Sequence, residues 1–109
     1  MKLLYYIFNG VEYEIRIGQD KHENWELLDD ADKNDLWFHV ANASSAYVIL
    51  SVVPTHIVPK PVIAYCAELC QAHSKLRNET KCQVMYTQIH NVAKGKHVGE
   101  ALVSSFRTI

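Results

Sequence analysis

Two apolar runs, Leu36–Val40 and Ala46–Val52, joined by a short Ala/Asn/Ser connector, constrain this chain more than any other stretch. Both are rich in β-branched and aromatic residues, and the connector has the length of a hairpin loop, so they read as paired strands. In the first run Leu36, Phe38 and Val40 share one face while Trp37 and His39 share the other. A strand with large side chains on both faces belongs in the middle of a sheet that is covered on both sides. Core packing with satisfied ring nitrogens is the plain reading of Trp37 and His39.

The rest of the chain supplies partners for that strand. Leu3–Phe8 and Val11–Ile17 flank Asn9-Gly10, a pair suited to the two positive φ angles of a tight hairpin turn. Val11, Tyr13, Ile15 and Ile17 alternate with Glu12, Glu14 and Arg16, which gives one buried and one wet face. Gly18 ends this strand, and Asp20 with Glu23 resembles a capping box for a short helix over Lys21–Leu28, with Trp25 and Leu28 inward. Asp29–Asp35 reads as a solvated polar turn, since its aspartates lack the spacing and glycine of a calcium loop. Three prolines between Pro54 and Pro61 exclude regular structure there. A longer helix follows over Lys60–Leu76, with an apolar stripe of Val62, Cys66, Leu69, His73 and Leu76 and with Lys75 and Arg77 in its last turn. Gln83–Thr87 and Ala101–Phe106 read as further strands around a basic, glycine-containing loop, His90–Gly99. The expectation is an α+β fold: one domain over residues 1–109, a mixed or antiparallel sheet that begins with a hairpin, and one long and one short helix packed on it.

No apolar stretch approaches the ~20 residues that span a bilayer, and the Met1–Phe8 start is too short for a signal peptide. With three cysteines in no disulfide spacing, this points to a cytoplasmic protein that engages no membrane. Charge is unevenly distributed: residues 1–54 carry four basic against nine acidic residues, and residues 55–109 carry seven against three. A basic second half suits a polyanionic partner, although an ordinary mixed surface explains the same count.

Chemistry-bearing constellations are few. Cys66, Cys70 and His73 fall on one helical face with Cys82 as a distant fourth ligand, but zinc sites usually start from a closely spaced cysteine pair and no second pair exists. Five histidines recur every 17 residues with unrelated flanks, so they mark no repeat. His39 with Ser44 lacks an acid to complete a triad, and no glycine-rich phosphate loop or dinucleotide fingerprint is present. Neither catalysis, a metal nor a cofactor is expected.

Several blocks together resemble the NFACT-R RNA-binding domain, found on the C-terminal side of NEMF-type ribosome quality-control and fibronectin-binding-like proteins. They are Gly18–Leu28, Asp35-Leu36-Trp37-Phe38-His39-Val40, Ser44–Leu50, Ala67–Lys75, Val84-Met85-Tyr86-Thr87 with Asn91-Val92-Ala93-Lys94, and Gly99–Ile109. The resemblance implies a non-catalytic domain that binds structured RNA, of the tRNA or ribosomal class, with a translation or ribosome-associated quality-control role. The Asp-Arg tailing residues and helical hairpins of the large members, and the coiled-coil tail of small eukaryotic members, have no counterpart here, so tailing is not carried over and autonomous ribosome engagement is not implied. The expected RNA site is Lys75, Arg77 and Lys81 near the end of the long helix, His90, Lys94, Lys96 and His97 in the basic loop, and His39, with Trp37 and Tyr86 as further stacking candidates. The alternative is a protein-interaction module that docks a partner through its acidic half or a sheet edge.

Overall fold

The computed structural model describes residues 1–109. Strands β1 (Lys2–Phe8) and β2 (Val11–Ile17) form the expected hairpin, with Phe8 opposite Val11. Asn9 and Gly10 take φ values of 49° and 76°, the left-handed pair that a two-residue hairpin turn requires. Chain order then runs through helix α1 (Lys21–Asp30), β3 (Leu36–Val40), β4 (Val48–Leu50), helix α2 (Lys60–Ala72) and β5 (Val84–Gln88). A single 3-10 turn over Ile89–Asn91 leads into β6 (Val92–Lys94), β7 (Ala101–Val103) and β8 (Arg107–Thr108).

Six strands make one antiparallel sheet in the order β1-β2-β4-β3-β5-β8, and β6 and β7 form a separate ribbon. The strand carrying Trp37 and His39 is interior, between β4 and β5. On one side Phe38, Val40, Val48, Leu50, Ile15 and Ile17 meet Val62, Cys66 and Cys70 of α2, all fully buried. On the other, Trp37, Tyr47 and Ile49 meet Leu27 of α1 and Ile89, with Val92, Ala101 and Val103 of the ribbon packed beside them. Each side chain of this size taken fully out of water stabilises the fold by about 1.5–3 kcal/mol.

The structure departs from the sequence expectations at five places, each with a local cause. The second apolar run is regular only over Val48–Leu50, because its neighbours spend their amides elsewhere: Ala46 N–H on the His73 carbonyl, Tyr47 N–H on Asn24 Oδ1, and Val52 N–H on Asp35 Oδ1. Helix α2 stops at Ala72, not Leu76, since both the backbone N–H and the ring Nδ1–H of His73 donate to the Leu69 carbonyl and close the turn. Lys75 and Arg77 therefore lie beyond the helix. Helix α1 turns Asn24 and Leu27 inward, leaving Trp25 and Leu28 half-buried at its margins. Ala101–Phe106 divides between the β7 ribbon and the approach to β8.

Asp35 is the fifth. Expected in a solvated turn, it is buried, accepting from Asp32 N–H at 2.9 Å and Val52 N–H at 3.0 Å, with the Arg16 guanidinium 3.7 Å away. At the N-terminus of α1, Asp20 caps as expected, accepting from the His22 and Glu23 amides at 2.9 Å. The Glu23 carboxylate reaches back to Gln19 N–H, one residue further than a capping box requires. These hydrogen bonds hold the Asp20 carboxyl below its ordinary range, the Glu23 amide contributing most. No helix is long and apolar enough to cross a membrane.

Candidate nucleic-acid interface

Three chain segments meet where the strand hairpin of β3 and β4 crosses the exit of α2. Ser45 and Ser74 form an isolated antiparallel bridge, flanked by Ala46 N–H to His73 C=O and Lys75 N–H to Ser44 C=O, both at 3.1 Å. This stitching fixes the chain just after α2 against the β3–β4 connection. The β2–α1 junction lies against the same connection: Gly18 N–H donates to the Tyr47 carbonyl, and Asn24 Oδ1 receives the Tyr47 amide. Gly18 has to be glycine for this packing, since a Cβ would sit 2.1 Å from Asn24 Oδ1.

Between these segments opens a cleft of about 710 Å³. Its charged side chains are Lys2, Lys21, Lys75 and Arg77 against the single acid Asp20, whose Oδ1 caps the α1 amides. Lys21, Lys75 and Arg77 are exposed and make no ion pair or side-chain hydrogen bond within the chain. The remaining lining is largely hydroxyl and backbone, including Ser44, Ser45 and Ser74, with His39 and His73. A concavity with unpaired cations and only 3 hydrophobic residues among 17 suits a hydrated polyanion better than an apolar small molecule.

Of the eight residues nominated from sequence, the cleft brings together His39, Lys75 and Arg77. The other five lie elsewhere. Lys94 Nζ is paired with the Asp29 carboxylate at 2.8 Å and sits 5.2 Å from the Trp25 ring, on the ribbon side. Lys96 and His97 are exposed on the tight Gly95–Glu100 connection, next to Val98 and Gly99, which touch the cleft. His90 bonds to Gln88 Oε1 and borders a separate small groove with Val92 and Leu102. Lys81 is exposed in the loop before β5. Lys2 and Lys21 were missed because they belong to the half of the chain that counts as acidic. The expected stacking role of Trp37 does not fit its burial, 1% exposed with His39 stacked upon it at 5.6 Å. Tyr86 stacks instead on Phe38.

The cysteine and serine constellations resolve as structure. Burial pushes the Cys66 and Cys70 thiols up to about 12, so both stay protonated inside the sheet–α2 interface. His73 turns away from them, its Nδ1–H on Leu69 C=O and its Nε2 3.1 Å from Lys2 Nζ. Ser45 Oγ accepts from Val40 N–H and donates to Ala46 C=O, and His39 bonds to Val40 C=O rather than to a serine.

The sequence profile described as NFACT protein RNA binding domain matches residues 2–105, nearly the whole chain. The chain belongs to the NFACT RNA-binding domain family. That family is an RNA-binding rather than a catalytic one. Among curated relatives, Protein JLP2 of Saccharomyces cerevisiae is 32% identical over 99 residues, covering 84% of this chain and 48% of that protein. Coiled-coil domain-containing protein 25 of Bos taurus is 37% identical over 93 residues, covering 79% of this chain and 43% of that protein. The chain thus spans about half the length of these relatives. A solved structure of the C-terminal part of the fibronectin/fibrinogen-binding protein from Streptococcus suis has the same fold, with a TM-score of 0.83 at 24% identity over the whole of this chain and 44% of that one.

Proposed function

We propose that this NFACT domain is a non-catalytic RNA-binding module, for RNA of the tRNA or ribosomal class, that acts in translation or ribosome-associated quality control. The observation that carries the reading is the convergence of Lys2, Lys21, Lys75 and Arg77 on one cleft that holds a single acid, Asp20. Family membership supports RNA as the ligand. Three free cysteines, two with buried protonated thiols, support a reducing compartment such as the cytoplasm.

Each phosphate held by a lysine or arginine releases condensed counterion, so log affinity falls with log salt by about 0.7 per contact on single strands and about 0.9 on duplexes. Three or four contacts predict a slope of about −2 to −4 between 50 and 200 mM salt, measured by fluorescence anisotropy with a labelled tRNA stem-loop. A slope near zero would overturn the phosphate reading.

A second reading rests on strand β1. It is an edge strand, and Leu3, Tyr5 and Ile7 on its outward face are 46%, 57% and 67% exposed, an apolar stripe suited to a protein partner. Binding through that edge would hardly respond to salt.

A further inference from the structure

The two histidines of the cleft have their tautomers fixed by the backbone. A carbonyl oxygen only accepts, so the 2.7 Å contact between His39 Nδ1 and Val40 C=O places the proton on Nδ1. The same holds for His73, whose Nδ1–H donates to Leu69 C=O at 2.8 Å. Each neutral ring then offers Nε2 as an acceptor. In His73 that acceptor is filled by the Lys2 ammonium. In His39 it has no partner in the protein, although the residue lines the cleft. Burial in the Trp37–Tyr47 aromatic setting favours the neutral ring, holding His39 below the ordinary imidazole range. Trp37 also covers one face of the imidazole in parallel at 5.6 Å, which makes the ring edge, not the face, the recognition element.

A free ring acceptor set among cations suits a ligand that is anionic but carries a hydrogen-bond donor close to its charge. A ribonucleotide backbone meets that description, since its 2′-hydroxyl can donate and deoxyribose has nothing at that position. We propose that His39 is the residue by which the cleft tells RNA from DNA: its Nε2 accepts from a ribose 2′-hydroxyl while Lys21, Lys75 and Arg77 hold neighbouring phosphates. This rests on the phosphate-binding reading above and adds to it the choice of sugar. Ordinary backbone binding needs no acceptor, and a base donor would be available equally from DNA.

The test compares one oligonucleotide sequence as RNA, as 2′-deoxy and as 2′-O-methyl RNA, against the wild-type domain and His39→Phe, which keeps an aromatic ring against Trp37 and removes the acceptor. Wild type is expected to favour RNA about tenfold over both analogues, the scale of one hydrogen bond that the analogues cannot donate. In His39→Phe the three affinities fall within twofold of one another, because RNA loses the advantage that it holds over both analogues. A readout independent of that variant is the ¹⁵N resonance of His39 Nε2 in the wild-type protein, which moves on adding RNA but not on adding either analogue. Equal wild-type affinity for all three ligands, or a resonance that ignores RNA, overturns the role of His39 while leaving phosphate binding standing. Absence of binding to any of them overturns both.

Discussion

Replacing Lys75 and Arg77 together with alanine is expected to weaken RNA binding by about 10- to 100-fold at low salt and to flatten the salt slope by about two. Both side chains project into the cleft from the segment locked to Ser44–Ala46, so they present charge from a defined position rather than from a floppy tail. Neither makes an ion pair or side-chain hydrogen bond within the chain, and both are exposed, so stability should change by less than about 0.5 kcal/mol. The instructive control is Lys94→Ala with Lys96→Ala. Lys94 is neutralised by Asp29 and lies by the ribbon, so this pair should cost RNA affinity several-fold less than the first. Anisotropy titrations of the two double variants decide the matter, and the reverse order of effects would move the binding surface to the basic loop.

Asp35→Ala is expected to destabilise the fold by about 3 kcal/mol, lowering the melting temperature by roughly 12–20 °C. The carboxylate completes the turn before β3 through Asp32 N–H and ties the end of β4 to it through Val52 N–H. Alanine leaves both amides without that acceptor, and it leaves the largely buried Arg16 guanidinium without a counter-charge. Set against a typical domain stability of about 5–15 kcal/mol, that is a substantial fraction. Asp35→Asn keeps one acceptor oxygen and should fall between the two. Thermal denaturation followed by circular dichroism measures it; a loss below about 1 kcal/mol for the alanine variant would show that water replaces the carboxylate.

What the sequence made legible follows from how local each signal is. Asn9-Gly10 specifies its hairpin within two residues, and the two-faced apolar pattern of Leu36–Val40 announces an interior strand without any knowledge of its neighbours. The end of α2 was harder to place. Helical periodicity runs on to Leu76, and only the capture of Leu69 C=O by His73, together with the Ser45–Ser74 bridge, breaks it. Asp35 looked like one more loop aspartate because its partners, Arg16 and Val52, come from other strands.

The cleft was half legible for the same reason. Lys75 and Arg77 stood out in a basic segment, and His39 in an aromatic strand. Lys2 and Lys21 lie among the acids of residues 1–54, where a count along the chain cancels them. Folding draws three of those acids to other partners, Asp29 to Lys94, Glu23 to the N-terminal amine and Asp35 to the neighbourhood of Arg16, while Asp20 stays at the cleft as the cap of α1. A linear charge count therefore picks out Lys75 and Arg77 in the basic half but passes over Lys2 and Lys21, which border the same cleft.

Amide chemical-shift mapping with a labelled tRNA stem-loop tests the central claim most directly, because it locates the contact without altering any side chain. Binding at the cleft predicts that the largest shifts gather at Gly18–Asn24, Ser44–Ala46 and His73–Arg77, three stretches far apart in the chain that border one opening. Shifts confined to β1, or to Lys94–His97 with those three stretches silent, would contradict it.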